Sequence, residues 1–499
     1  MKKIDKMMLV SVLALAVIWT MCVIFGGFGV GIVVGVGAYL ACVFMYGKEL
    51  GKKQSKKLKW LLVPIGLTTL CFLLFSNGVL RVFNLIFLIG LLLIHAIEYF
   101  EKSTYEMFLP AWCKDIISFG LTLPFIKLEQ PVVLIKDEIS LGNKEKIKVI
   151  GKVLLGLVLA LPVLLIVVGL LVSSDAAFEG VIGLMVEQLF NINLSWIFAR
   201  GFVIIVLFFM CFSYFWGLTH QVEGDADLAN QIEEDGAGEI QEKKGLDFVV
   251  VATITTLLCL IYLVFFLSQS VYFVSAFQGV LPSNVYSMSE YARRGFFETL
   301  PLAAFNLIVI CILCSNTNCE GSAKKKHYAL GGVCFIAAFT LFMVVCALFK
   351  MVMYMERFGL TIKRVQVAWF LCLIVIVVVL ILVKVFVERF RFIRNLFIAF
   401  IVMYMGFNYA NVDYLVASYN VALYEGGVTD NLSGCYDLSP AAVGPITKII
   451  EKDKSLLQNK EVYVLLQGLR RKATLSTWQE WNLTDYAAMK RTQNIEMEE

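Results

Sequence analysis

The sequence has 499 residues, of which 59% are hydrophobic and only 16% are charged. Soluble domains carry about 25% charged residues, so this composition excludes a soluble globular protein and places the chain in a lipid bilayer. The formal net charge of +4 gives no indication of a nucleic-acid partner, and none is expected.

Apolar stretches long enough to cross a bilayer follow one another through most of the chain. Eleven candidate spans lie at 8–25, 27–46, 60–75, 79–97, 149–172, 197–218, 248–267, 297–314, 329–350, 367–385 and 393–408. We therefore predict an all-α integral membrane protein with about eleven transmembrane helices and a small helical C-terminal tail.

The candidate spans divide the chain into four parts: a six-span half at 1–218, an acidic linker at 219–246, a five-span half at 247–408 and a helical soluble tail at 409–499. The linker carries eight acidic residues against two lysines and almost no large apolar residue. Such a composition cannot build a core, so the linker is predicted to be disordered.

The distribution of lysine and arginine sets the predicted orientation, because cytoplasmic loops are enriched in both. Lysines lie before the first span and cluster at 48–59 and 324–326, whereas the loops at 26–29 and 173–196 contain neither residue. The N-terminus is therefore predicted to be cytoplasmic. Eleven spans then put the tail outside, and an error of one span would move it to the cytoplasm.

Two connections have helical patterns of their own. Residues 105–128 mix aromatic and charged residues, which is typical either of a helix in the membrane interface or of a segment packed under the bundle. Residues 175–190 place their large apolar side chains on one helical face, which predicts an amphipathic helix at the outer surface.

The centres of the spans carry few functional groups. They offer neutral polar residues such as Asn306 and Thr340, which more often join helices than bind a substrate. This pattern weakens an ion-coupled transport mechanism, which usually needs ionisable groups near mid-bilayer. Gly27, Gly31 and Gly35 recur at intervals of four, a pattern that favours close helix packing inside the chain over a dimer contact.

Five motifs in the second half together resemble a known family. They are SMSEYARRGFFETLP (287–301), YMERFGLTIKRVQVAWF (354–370), NVDYLVASYNVALY (411–424), DLSPAAVGPI (437–446) and WQEWNLTDYAAMKR (478–491). They resemble the bacterial polytopic membrane family called domain of unknown function 4173, which is related to family 4153. Val412 stands where that family usually has proline, and Ser418 where it often has arginine. The resemblance implies a bacterial cytoplasmic membrane protein and implies no reaction.

Three of these motifs bring charged and polar residues to the predicted outer membrane face. The candidate binding residues are Glu290, Arg293, Arg294, Glu298, Glu356, Arg357, Arg364, Asn411, Asp413 and Asn420. The favoured interpretation is an ion-pair network that docks the tail onto the bundle. A site for an anionic lipid or envelope component is the second interpretation, because grouped cations beside acyl chains suit phosphate. Catalysis by Glu290 or Asp413 is the third.

The tail has the capping signals of a small helical domain. Asn411 can cap a helix that follows it, and Ser439 with Pro440 forms a typical helix start. Further helices are predicted at 457–471 and 476–491.

We therefore expect a non-enzymatic envelope scaffold or a sensory or regulatory partner, with the bilayer and other membrane proteins as its neighbours. The alternatives are a transporter or lipid flippase, and a membrane-embedded transferase or hydrolase. HExxH, GxSxG and Walker motifs do not occur in the sequence, so no catalytic residue, metal ligand or cofactor is assigned.

Overall fold

The computed structural model describes residues 3–139, 194–220, 248–278, 288–316, 323–387, 389–429, 431–475 and 477–493, with isolated positions between 156 and 171 and Ile495. Every regular element in these ranges is helical, which confirms the all-α class. The chain divides into two compact units. Unit 1 comprises Met1–Leu74, Arg81–Glu223 and Leu475–Asn482, and unit 2 comprises Phe75–Leu80, Gly224–Thr474 and Leu483–Glu499.

The first eight described helices provide most of unit 1. They are α1 (Lys3–Trp19, continued by a π-helical turn Thr20–Ile24), α2 (Val30–Glu49), α3 (Lys56–Lys59), α4 (Leu62–Leu74), α5 (Gly78–Tyr99), α6 (Pro110–Ile126), α7 (Gln130–Ile139) and α8 (Leu194–Thr219). Helices α1 and α8 run antiparallel. The Arg200 guanidinium lies 5.3 Å from the Phe25 ring at one end, and His220 pairs with Asp5 at the other.

Unit 2 contains five long apolar helices and most of the tail. The long helices are α9 (Phe248–Gln278), α10 (Met288–Asn316), α11 (Ala323–Phe358), α12 (Ile362–Phe386) and α13 (Phe392–Tyr409). The tail helices are α14 (Val412–Glu425), α15 (Val443–Lys452, preceded by a 3-10 turn Pro440–Ala442), α16 (Lys460–Lys472) and α17 (Leu483–Gln493).

Nine helices among the described residues are long and apolar enough to cross a membrane, and each matches a predicted span. The span predicted at 60–75 forms only the 13-residue helix α4. At 1.5 Å per residue this helix is about 20 Å long, shorter than the hydrocarbon core. The span predicted at 149–172 lies outside the described residues apart from isolated positions, as do the predicted helix at 175–190 and the acidic segment 221–247.

The segment predicted at 105–128 as an interfacial or packed element forms helix α6, bent by 40° against α7. The pair passes as a tenth span if the two helices are counted as one. Helix α6 packs on α8, where the Ser213 hydroxyl donates to the Leu123 carbonyl at 2.7 Å and accepts from the Lys127 amide at 3.0 Å. This packing favours the interpretation of a segment that belongs to the helix bundle.

The polar residues at the centre of unit 2 join helices to one another. Tyr262 donates to the Asn306 carbonyl oxygen, and the Asn306 amide donates to the Thr340 hydroxyl at 2.8 Å. The Thr340 hydroxyl donates in turn to the Ile336 carbonyl at 2.7 Å. These contacts connect α9, α10 and α11, so Asn306 and Thr340 form helix-packing hydrogen bonds, as their sequence context predicts.

Candidate functional site: the docked C-terminal tail

The tail begins almost without a linker, since α13 ends at Tyr409 and α14 begins at Val412. Asn411 precedes α14 in the left-handed conformation (φ 47°), which asparagine tolerates better than most residues. The predicted helix start is therefore correct. The predicted capping bond is wrong, because the Asn411 side chain forms no cap with the helix in this conformation.

Asp413 is the most buried of the predicted site residues, with 3% of its surface exposed. Its two carboxylate oxygens accept hydrogen bonds from the Asn77 side-chain amide at 3.0 and 2.8 Å. Ser439 adds bonds from its hydroxyl and its backbone amide. Burial raises the pKa of Asp413, and these bonds, together with the charge of Lys472, offset part of that rise.

Asn77 connects this carboxylate to the membrane helices. Its side-chain oxygen accepts a hydrogen bond from the Leu80 amide at 2.9 Å, so Asn77 caps the start of α5 while its amide group donates to Asp413. One side chain thus serves both the helix start and the tail. Phe75, two residues earlier, packs edge-to-face on Tyr409 at the end of α13, with ring centroids 5.8 Å apart.

Asn420 forms the second attachment of the tail. Its side-chain oxygen accepts from the Leu360 amide at 2.9 Å, and its side-chain amide donates to the Leu360 carbonyl at 2.8 Å. Gly359 and Gly434 make room for this pair, because a Cβ atom at either glycine would lie within 2.7 Å of the Asn420 side chain. The tail is therefore hydrogen-bonded directly to the turn between α11 and α12.

Arg364 closes the same turn from its other side. Its guanidinium donates to the carbonyls of Phe358 and Gly359 at 3.0 and 2.7 Å, and to the Tyr354 hydroxyl at 3.1 Å. The bonds to Phe358 and Gly359 satisfy carbonyls at the end of α11, where a cation also complements the helix dipole. Arg364 is a structural cation of the docking turn.

An apolar core supports these polar attachments. Buried residues of α14, α15 and α16 pack together with Ile362 at the start of α12 and Phe407 near the end of α13. Lys472 at the end of α16 donates to the carbonyls of Tyr436 and Leu438 at 2.9 and 3.0 Å, which orders the loop before α15. The tail is thus a helical cap whose core continues into the ends of the membrane helices.

The remaining predicted residues lie outside these attachments. Glu290 and Arg294 form an ion pair of 2.9 Å within one turn of α10, both partly exposed. Glu298 acts electrostatically on Lys350 of α11. Arg293, Glu356 and Arg357 are exposed. The ten predicted residues lie in three places along the chain: on α10, around the α11–α12 turn and at the start of the tail.

The segment 477–482 of the tail belongs to unit 1 and rests on the turn between α1 and α2. The Val30 amide donates to the Trp481 carbonyl at 3.1 Å. A Cβ atom at Gly27 or Gly29 would collide with Glu480, and one at Gly31 would lie 2.0 Å from the Cys22 carbonyl oxygen. The glycine pattern therefore serves contacts within the chain, as predicted.

A second polar cluster in unit 1 was not identified from the sequence. His220 Nε2 lies 3.3 Å from the Asp5 carboxylate, and Lys102 donates to the His220 carbonyl at 2.8 Å. Asp115 on α6 is fully buried, and its carboxylate accepts a hydrogen bond from the Thr104 amide at 2.8 Å. The only sequence signal was the position of these residues at the ends of apolar runs.

A comparison against known families identifies the family of the chain. Residues 62–449 match the model of a domain of unknown function, DUF4153. The chain belongs to this family. Its matched region begins at the start of α4 and ends within α15, so it includes Asn77, Asp413 and Asn420 and both attachments of the tail. No curated protein and no solved structure matches the chain.

Proposed function

We propose that this multi-pass protein is a non-enzymatic scaffold of the bacterial cytoplasmic membrane whose tail holds the outer ends of its membrane helices together. The observation that carries the proposal is the use made of Asp413 and Asn420. Both are buried, and their hydrogen-bonding groups are engaged by residues at connections between membrane helices. Buried polar groups satisfied in this way fix one arrangement of the parts that they join.

The contact between Asp5 and His220 supports a tail on the side of the membrane opposite the N-terminus. Two helix ends in direct contact lie on the same side of the membrane, so the chain between Asp5 and His220 crosses the membrane an even number of times. Five long apolar helices follow His220 before the tail begins. The acidic segment 221–247 has no apolar run that could cross. Five crossings place the tail on the side of the membrane opposite His220 and the N-terminus.

The contacts of the tail support the same orientation. Trp481 meets the turn before α2, Asp413 meets the turn before α5, and Asn420 meets the turn before α12. The predicted topology assigns all three turns to the outer side. The lysine-rich N-terminus then lies in the cytoplasm, in agreement with the positive-inside rule.

The scaffold has more support than the alternatives. A general acid or base must reach its substrate, whereas Asp413 is buried behind Asn77 and Ser439, and Glu290 is paired with Arg294. A transporter requires two exchanging arrangements, whereas the tail packs continuously on α12 and α13. We propose other membrane proteins and an anionic envelope component as partners. On the basis of the motifs in its second half, we also propose that the chain is related to family 4173.

The test measures whether the tail keeps one position on the membrane helices of unit 2. Spin labels carried by unnatural amino acids replace Lys363 and Lys448, which are both exposed. In nanodiscs, the scaffold predicts one narrow distance distribution that does not respond to pH or sodium, and that broadens when Asn420→Ala is added. Two distance populations that exchange with pH or sodium would contradict the scaffold and favour transport.

A further inference from the structure

A cleft of about 180 Å³ opens on the tail close to the membrane end of α13. Its walls come from α14, from the start of α15 and from α17. The lining residues are Asn411, Tyr414, Pro440, Ala441, Gly444, Leu483, Thr484, Ala487, Ala488 and Arg491. Its volume is below the range of about 300–1,000 Å³ that is usual for drug-sized ligands, so the cleft suits a small group.

Three polar side chains of this cleft are free to bind a ligand. Among the described residues, no hydrogen bond or ion pair engages the side chains of Arg491, Tyr414 or Asn411. The remaining walls are mostly alanine, glycine and proline. A cation with two neutral hydrogen-bonding groups on a small-residue surface is suited to a phosphate group, which accepts charge-assisted hydrogen bonds from arginine.

Gly444 lies against the guanidinium of Arg491. A Cβ atom at residue 444 would be 2.8 Å from Nη1 of Arg491, so the glycine allows the guanidinium to lie directly over the start of α15. The same atom would be 3.5 Å from the Tyr414 ring, an ordinary contact. The glycine therefore leaves room for the arginine at the start of α15, and an alanine there would shift only the flexible end of the arginine side chain.

The surroundings of the cleft suit the membrane interface. Asn411 follows the last membrane helix by two residues. Leu415 on α14 and Leu483 on α17 are about half exposed, at 51% and 49%, and Tyr419 and Tyr486 on the same helices are also exposed. Exposed leucine and tyrosine near the end of a membrane helix are typical of a surface in contact with lipid headgroups.

We propose that this cleft binds the phosphate headgroup of an anionic membrane lipid, with Arg491 on the phosphate and with Tyr414 and Asn411 as hydrogen-bond donors. The lipid then links the tail to the bilayer beside it. The proposal rests on a tail docked at the membrane surface, as proposed above, and it holds on either side of the membrane because both leaflets contain phospholipid.

The experiment titrates the delipidated full chain with phosphatidylglycerol and counts bound lipids by native mass spectrometry. Arg491→Gln removes the cation that the proposal places on the phosphate. Lys490→Gln removes a neighbouring exposed cation that does not line the cleft and is the matched control. We expect lipid binding to be at least about tenfold weaker in Arg491→Gln and to change by less than about twofold in the control.

Three outcomes would overturn the proposal. Equal binding by all variants would exclude the cleft, and an equal loss in Lys490→Gln would reduce it to general surface charge. Competition by inorganic phosphate at the same concentration as the lipid would assign the cleft to a soluble phosphate compound. Protection of Cys435 from thiol labelling, measured on the same samples, reports docking separately, so a failure of lipid binding is distinguishable from an undocked tail.

Discussion

Replacing Asn420 by alanine should open the tail. The substitution removes both hydrogen bonds to Leu360 and leaves the Leu360 amide and carbonyl without these partners. Each bond contributes about 1 kcal/mol, and each buried group left unsatisfied costs about 1–3 kcal/mol. Because Leu360 is only half-buried, water replaces part of the loss, and we expect a total of about 2–4 kcal/mol. The open fraction should then rise about 30-fold to 700-fold.

Cys435 is a natural reporter of this opening. It is fully buried, and its Sγ lies 3.9 Å from the Asn420 amide nitrogen. Burial also raises the pKa of the Cys435 thiol to about 11, so the docked tail should react extremely slowly with a thiol reagent. When opening is fast relative to labelling, the labelling rate is proportional to the open fraction.

The assay follows alkylation of Cys435 by peptide mass spectrometry in the full chain in nanodiscs. Ser418→Ala, on the same helix, is the matched control and should label like the unmodified protein. A rate for Asn420→Ala within twofold of the unmodified protein would refute the reasoning, because it would mean that the pair with Leu360 contributes almost nothing to docking.

Two further predictions concern stability. Burial raises the pKa of Asp413 in the docked tail above that of an exposed carboxyl, so the docked state binds a proton more readily than the unfolded state. As the pH falls from 7 through that raised pKa, the thermal midpoint of the unmodified protein should therefore increase relative to that of Asp413→Asn. A difference that stays constant or changes in the opposite direction would contradict this assignment. Gly31→Ala should lower the thermal midpoint, because the new Cβ atom would collide with the Cys22 backbone at a cost of about 1–3 kcal/mol. Gly37→Ala on the same helix has open space around its Cβ atom and should be neutral or stabilising. Similar midpoints for the two variants would contradict the packing role of Gly31.

The membrane helices were predictable because a segment in lipid must satisfy its backbone polar groups within a helix and must be apolar along the length of that helix. This requirement produces long apolar runs in the sequence. Helix α4 was the exception, since the apolar run at 60–75 includes Trp60 and Leu61 before the helix begins. The helical pattern at 105–128 was also visible. Its packing on α8 depends on Ser213, far away in the sequence, and was not visible.

The candidate site was predictable in its parts and not in its assembly. Charges beside apolar runs identify Asp413 and Arg364 as membrane-edge residues. The partner of Asp413 is Asn77, 336 residues away, and nothing in the sequence pairs these two positions. Hydropathy assigns residues to a side of the membrane, whereas lateral neighbours depend on how the helices pack. For this reason the sequence groups Glu290 and Arg294 of α10 with the tail, whereas the structure pairs these two residues with each other.

The position of the tail outside the cytoplasm is the central claim, and one labelling measurement tests it directly. Lys454 is exposed on the tail, and Lys324 is exposed at the start of α11, on the predicted cytoplasmic side. Each is replaced by cysteine, and intact and lysed cells are treated with a membrane-impermeant thiol reagent, with the unmodified protein as background. We predict labelling of Lys454→Cys in intact cells and of Lys324→Cys only after lysis. Labelling of Lys454→Cys only after lysis would place the tail in the cytoplasm and contradict the outer scaffold.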